Sequence, residues 1–574
     1  MSLFGSFEIG KKSLTASQMG QSTTGHNIAN VDTEGFSRQE IMQESARPMS
    51  DGKGTGVDVT GVRRIQDGFT KQKVVDQQTH VGSWETREKM LTEAEVLYTD
   101  LEGTRLRGAM DEFWGAWNSV ATEPEIGPHR KALVAKGQML AEDFRMFHKR
   151  LTDFNDTING RIQAEMLDIN EMSREIALLN KQVEQLENRG IPANDARDKR
   201  ELLLQKLSKK VELRWFESPR GTLEVQIPNG QHLVHGRHHY DLIPYEIAEE
   251  KGNIRIGLTN PPGIRSDVTD IITTGSLKEL VNQRDINLKH YFENLDLLAG
   301  EISRRVNVLH SGGTGINGIK SDETSAYRFT PEQLSNPLPY LKSGNFQLKL
   351  LGEDDQIEEV ITVNLQAGVD SIKSIVEKIN RAADGYQTLE DGREVLKEVN
   401  KIKATINDDG SVSLTSGMGK KFIFGPDETN VMANLGFNCF FHIDEGAGDV
   451  AVNPELVEDE MKIVAGSDLV PGDNRIAMEI ADLQLKATMN EETISFDEFY
   501  NNQITDIGLK VQDAQNGLNA HQQMLDQYEA LRDSVSSVNL DEEMTKMVKY
   551  QRAYESSAKF LGTVDQMTQT LVNM

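Results

Sequence analysis

Four histidines, His232, His235, His238 and His239, form the densest group of possible metal ligands in the chain. Imidazole nitrogens hold Zn2+ and related ions where three or four donors converge. The alternating run Leu223-Glu224-Val225-Gln226-Ile227, turned by Pro228-Asn229-Gly230, places them on a β-hairpin. On an ideal strand His232 and His235 point to opposite faces, and no cysteine or paired carboxylate completes a set, so the expectation is surface histidines and no metal. Gly313, Gly315 and Gly318 have the spacing of a dinucleotide-binding loop, but that loop needs a strand before it, and here the preceding sequence is helical. Gly52-Lys53-Gly54-Thr55 lacks the spacing of a phosphate-binding loop. The single cysteine, Cys439, excludes an internal disulfide; in the apolar run from Leu435 to Ile443 it reads as a small buried hydrophobe. No Ser-His-Asp or Cys-His arrangement stands out, and acidic residues are too common for any pair to be informative. The expectation is a protein that is not an enzyme, with no catalytic residue and no cofactor.

The informative residues lie instead at the two ends. In the tail, Leu540, Met544, Met547, Gln551, Tyr554, Ala558 and Leu561 recur by fours and threes, widened by Val548, Phe560, Val564 and Leu571. Asn539 is placed to cap this helix, with Asp541, Glu542 and Glu543 in its first turn. At about 1.5 Å per residue, Asp541 to Met574 makes a rod roughly 50 Å long. In the head, Leu3, Phe7, Leu14 and Ile28 share one stripe with the small residues Gly10, Ser17 and Thr24, which would let a second helix approach closely. Gly25 is expected to end or interrupt the head helix, followed by turn formers such as Asp32 and Gly35. The glycine-rich stretch from Asp51 to Asp67 alternates apolar with polar residues and reads as a small β element.

With 574 residues the chain is too long for one core, and three or more domains are expected. The formal charge of −28 argues against nucleic acid or an anionic membrane as partner. More than half of it falls between Ser321 and Leu485, where 14 Lys or Arg face 30 Asp or Glu. Both termini are near neutral. No run approaches the ~20 apolar residues of a membrane span, and the first residues do not read as a secretory leader.

The run Asn27-Ile28-Ala29-Asn30-Val31-Asp32-Thr33-Glu34-Gly35-Phe36-Ser37-Arg38-Gln39 resembles the signature of bacterial flagellar rod, hook and hook-associated proteins. Four further segments are similar to the hook-associated branch of that family: Gly54 to Ile65, Asn194 to Ser208, Gly275 to Asp285 and Tyr550 to Leu561. The resemblance covers most of the first 320 residues and the last 75 or so, but not Ser321 to about Leu485. Asp32 and Phe36 depart from it mildly, where relatives often have asparagine and tyrosine.

The resemblance implies a structural adaptor joining hook to filament, exported unfolded through the flagellar type III export apparatus and secreted to the hook-filament junction, or periplasmic where flagella are internal. It implies self-association in a helical array, contact with the hook protein and a second hook-filament junction protein, and an export chaperone on the C-terminal helix. Other axial proteins (hook, distal rod, flagellin-like) are the nearest alternative, and a secreted enzyme on an axial scaffold is a remoter one. The expected assembly residues are Phe4, Phe7, Leu14, Asn27, Ile28, Ala29, Asn30, Thr33, Gly35, Phe36, Met544, Met547, Tyr550, Gln551, Tyr554, Ala558 and Leu561. These helices are expected to be frayed until neighbouring subunits cover them.

The expected fold class is α+β multidomain. Residues 1–60 and 536–574 form a coiled-coil-like inner helical domain. Residues 61–320 and 486–535 form a long helical bundle with a β-hairpin region near 211–270, and Ile158, Ile162, Met166, Ile169, Ile176, Leu179, Val183 and Leu186 mark its longest helix. Residues 321–485 form an inserted, mostly β outer domain with one helix from Ser371 to Ala383.

Overall fold

A computed structural model describes residues 3–48, 54–98, 105–247, 252–260, 263–384, 386–388, 394–396, 401–417, 419–467, 469–470 and 472–573. In chain order, α1 (Leu3–Ala29) leads to the hairpin β1 (Gln39–Ser45) and β2 (Val57–Arg64), then α2 (Gly68–Tyr98), α3 (Arg105–Thr122), α4 (Gly127–Glu187) and α5 (Asn194–Lys210). Seven strands follow: β3 (Arg214–Glu217), β4 (Leu223–Gln226), β5 (His232–His235), β6 (His238–His239), β7 (Leu242–Glu246), β8 (Ile254–Asn260) and β9 (Ile264–Asp267). Next come α6 (Ser276–Asn282), a π-helical turn, α7 (Lys289–His310), β10 (Asp322–Thr324), α8 (Pro331–Ser335), β11 (Gly344–Leu351), β12 (Ile357–Leu365) and α9 (Ile372–Ala383). Beyond the short strands Tyr386–Thr388 and Glu394–Leu396 lie strands Ile402–Ile406, Val412–Ser416 and Lys421–Asp427, several short elements, and two long helices, Phe496–Ser536 and the terminal helix Leu540–Val572. Among the described residues no helix is long and apolar enough to cross a membrane.

The chain divides into two compact units. One comprises residues 1–92, 156–285 and 510–574. Its α4 segment buries Ile158, Ile162, Met166, Ile169, Ile176 and Val183, the stripe read from sequence, with Leu179 and Leu186 half-buried. Two antiparallel sheets, ordered β3-β4-β5-β6 and β7-β8-β9, are fastened to that helix by asparagines. The Asn180 amide donates to the Leu223 and Gly236 carbonyls at 2.8 and 2.7 Å, and the Asn170 amide to the Leu242 carbonyl at 2.8 Å. A buried amide that completes a strand's edge satisfies polar groups that would otherwise be stranded.

Two expectations for this unit are corrected. The head helix runs through Gly25 to Ala29, because glycine costs a helix only about 1 kcal/mol and packing along its whole face outweighs that. His232 and His235 do not face opposite sides. The register between β4 and β5 shifts from Val225↔Val234 to Gln226↔His232, and the extra residue returns both rings to one side, 4.7 Å apart.

The other unit comprises residues 93–155 and 286–509. An aromatic cluster fills part of it: Phe113, Trp114 and Trp117 of α3 pack with Phe440, Phe441 and Phe496. A second core lies between α9 and the sheet ordered β12, β11, Lys421–Asp427, built on Phe346, Leu348, Leu350, Ile375, Ile379, Phe422 and Phe424. Ser371 caps α9 by accepting from the Ser374 amide. Cys439 is buried, and burial pushes its thiol pKa up. The Gly313 to Gly318 segment is a loop after α7; a Cβ at Gly315 would lie 2.3 Å from the Lys462 carbonyl, so glycine there permits close backbone approach.

Candidate assembly interface

The terminal helices lie against each other within the first unit. On α1 the packed face runs through Gly10, Ser13, Ser17, Gly20, Thr24 and Asn27, all small or short and spaced by threes and fours. On the terminal helix it runs through Glu543, Met547, Tyr550, Ala553, Ser557, Leu561 and Val564. A Cβ at Gly10 would sit 2.7 Å from Leu561 and one at Gly20 2.6 Å from the Tyr550 ring, so the larger partners rest on α1 backbone. The Ser13 and Ser557 hydroxyls are bonded at 2.7 Å. Glu543, nearly fully buried, accepts from the Asn27 amide at 2.9 Å and pairs with Lys546 at 2.7 Å. Asn539 caps the helix by accepting from the Asp541 and Glu542 amides.

The stripe read from the tail shares Met547 and Leu561 with this packed face, and Tyr550 lies on it too, half-buried. Leu540, Met544, Gln551, Tyr554 and Ala558 are exposed. On α1, Phe4 is 85% and Phe7 46% exposed, while Leu14 and Ile28 are half-buried. The pair therefore joins through small and polar positions of α1 that seat Met547, Tyr550 and Leu561, and leaves other large apolar side chains outward, Met544 at 60% and Val548 at 49% exposed among them.

The turn after α1 is wired to α5. Asn27 donates to the Gln39 carbonyl and accepts from the Gln39 amide, at 2.9 and 3.0 Å, closing the turn on itself. Asn30 is half-buried and donates to the His26 carbonyl, and the exposed Thr33 hydroxyl donates to Asn30. Ala29 and Gly35 are exposed, and Phe36 packs edge-on to His26 at 5.4 Å. The Ser37 amide donates to Asp198, Gln39 to Asp195, and Asn194 to Gln39, so the turn and the start of α5 are two sides of one contact. Arg38 reaches the other way, pairing with Glu542 at 2.9 Å while its amide donates to the Ser536 carbonyl.

Beneath the turn sits a buried ionic cluster. Arg64 pairs with Asp198 at 2.8 Å and with Glu201 at 2.9 Å, and Lys71 pairs with Glu201 at 2.7 Å. Burial opposes ionisation of both carboxyls. For Glu201, Lys71 and Arg64 overcome it and hold the pKa below the usual range; for Asp198, burial wins over Arg64 and the pKa is raised. Burial also lowers Lys71. Arg200, buried on α5, donates to Asn180, the Gly221 carbonyl and Glu217, tying α5 to α4 and the first sheet. Glu279 binds Arg87 through both oxygens, and Arg284 donates to Asn159 and the Ile254 carbonyl.

Sequence reasoning does not single out Ser13, Gly20, Arg64 or Lys71, and it reads Glu543 only as a first-turn charge. Ser13, Gly20 and Asn27 repeat every seven residues beside Gly10, Ser17 and Thr24, a signal that was available. The Asn27 partner of Glu543 lies 516 residues away in sequence, and no local pattern marks that contact.

This geometry is a helix pair stapled by polar side chains and a turn clamped to a helix. A family model described as flagellar basal body rod FlgEFG protein C-terminal matches residues 530–574, and one described as flagellar hook-associated protein FlgK helical domain matches residues 91–323. The chain is thus an axial protein of the bacterial flagellum. Flagellar hook-associated protein 1 of Bacillus subtilis is 22% identical over all of this chain and 98% of its own length, and that of Salmonella typhimurium is 24% identical over 98% of each. The flagellar hook junction protein FlgK from Burkholderia pseudomallei has the same multidomain α+β fold, with a TM-score of 0.51 at 14% identity over 81% of this chain and all of its own. Over nearly its whole length the chain thus resembles flagellar hook-associated protein 1.

Proposed function

We propose that the protein is a structural adaptor joining hook to filament, assembled by stacking of its terminal helices on those of neighbouring copies and of adjoining axial proteins. The observation that supports this reading is the terminal pair's division of labour: small residues of α1 seat Met547, Tyr550 and Leu561, while Phe4, Phe7, Met544, Val548 and Tyr554 remain outside. Such a pair buries little apolar surface for the roughly 1–2 kcal/mol per residue of ordering it requires. Covering each outward stripe with a neighbour, at ~25 cal/mol per Å2, shifts that balance and makes ordering cooperative at a growing tip. Contacts between unlike faces propagate as an open helical array. The hook protein lies on one side and a second junction protein on the other; before secretion through the flagellar export apparatus, the same terminal helix suits an export chaperone.

The test is where flagella stop in a strain lacking the gene. Bare hooks with filament protein released to the medium are expected, with rescue by the intact chain. Filaments of normal length would refute the junction role.

A further inference from the structure

The β4–β5 bulge assembles three side chains that regular strands would separate. Glu224 lies below His232 and His235, its Oε2 2.8 Å from His235 Nδ1 and 3.9 Å from His232 Nδ1. One donor atom from each of the three lies within 4.8 Å of the others. Two observations separate this group from scattered surface histidines. The Glu224 carboxylate is buried and held in place, accepting from the Gly236 amide at 3.1 Å and the Thr222 hydroxyl at 3.0 Å, the kind of outer support that orients metal ligands. His232 Nδ1 is a buried atom with no hydrogen-bond partner, although it faces that carboxylate.

We propose that Glu224, His232 and His235 bind one divalent transition-metal ion of the zinc type through a carboxylate oxygen and two Nδ1 atoms, with water completing the coordination. Two imidazoles and a carboxylate suit such ions, and bonds of about 2.0–2.2 Å need ligand atoms a little over 3 Å apart. His235, whose ring is largely exposed, moves outward by a few tenths of an ångström, and His232 closes inward. Binding through Nδ1 places the ring proton of His232 on Nε2. That atom lies 3.1 Å from the Gln226 amide, which accepts the proton's hydrogen bond once turned oxygen-first. The ion clamps β4 to β5 across the bulge and gives the stranded nitrogen a partner.

The full chain titrated with Zn2+ by calorimetry is expected to bind one ion, and Co2+ in its place is expected to give the intense visible absorption of a four-coordinate site. His235→Ala and His232→Ala should each weaken Zn2+ binding at least tenfold, while His129→Ala, far from the group in sequence, leaves it unchanged. Glu224→Gln should act like the histidine variants, and His235→Ala, altering an exposed ring, keeps the test valid should Glu224→Gln misfold. Equal affinity in all variants, several weak sites per chain, or only the pale spectrum of six-coordinate Co2+ would overturn the proposal.

Discussion

The sheet-and-helix core around β11 and α9 and the terminal helix pair solve opposite problems. In the first, Phe346, Leu348 and Leu350 on one face of β11 share a core with Ile372, Ile375 and Ile379 on one face of α9, and these side chains have their cover within the same chain. In the second, Val564 is the one apolar residue of the terminal helix that is fully buried, beside Glu543 and Ser557. Apolar burial supplies the free energy of the first region. Hydrogen bonds and close backbone approach supply alignment in the second and leave apolar surface to spend on neighbours. A region that closes on itself and a region that stays open can thus share one chain, and substitutions should separate them cleanly.

The largest expected effect falls in the closed region. Phe346→Ala removes a fully buried ring and should cost about 3–5 kcal/mol, read as faster hydrogen exchange of the β11 and β12 amides and a lower denaturation midpoint. A loss under about 1 kcal/mol would show that this core is less closed than its packing implies.

Next comes an effect of pH on the same unit. His310 is fully buried; its Nδ1–H donates to the Asn438 carbonyl at 2.7 Å and its Nε2 accepts from the Val464 amide at 3.0 Å, which fixes the neutral ring. Burial, reinforced by Arg130, lowers its pKa from 6.5 to about 4. The unfolded chain therefore takes up the proton first. The stability His310 contributes is complete above pH 6.5 and is lost as pH falls toward 4, at most about 3 kcal/mol. Urea midpoints of the protein and of His310→Gln, compared between pH 7 and 4.5, should converge as pH falls. Parallel curves would sink the assignment.

What was legible in the sequence follows the same division. Periodic segments were plain: the α4 stripe, α9 with its Ser371 cap, and the strands around Phe346, Val360 and Val412, because their apolar residues answer to cores within the chain. At the interface the small-residue stripe Gly10, Ser17 and Thr24 was read correctly as a place of close approach. The tail stripe read from sequence is split by the fold: Met547 and Leu561 face α1, whereas Leu540, Met544 and Tyr554 lie outside the contact, since α1 offers a face only wide enough for one row of large side chains. Gly25 looked like a stop because its packing against Met547 is nonlocal, and the bulge that pairs His232 with His235 depends on a register no single strand reveals.

Gly20→Leu tests whether close approach matters in the open region. Its side chain would collide with the Tyr550 ring, and overpacking of this kind costs about 1–3 kcal/mol. The expected sign is earlier proteolysis of the terminal helix. Gly25→Ala meets only Met547 Cε at 3.7 Å and should instead stabilise α1 by up to about 1 kcal/mol. Identical proteolysis of both variants would mean that the small-residue stripe does not set the helix contact.

The smallest effect on the monomer should carry the largest consequence for assembly. Met544→Asp and Tyr554→Asp alter side chains that are already exposed, so monomer stability should stay within about 0.5 kcal/mol. Leu561→Asp is a poorer probe, because that side chain is half-buried against Gly10 and its loss would loosen the pair itself. If the outward stripe is what neighbouring subunits cover, a charge at Met544 places an unpaired carboxylate in a buried contact and incorporation at the hook tip fails, although denaturation curves of the monomer are unchanged. Filaments of normal length on Met544→Asp hooks would mean that the stripe faces solvent in the assembled array. The junction would then have to be held by some other surface.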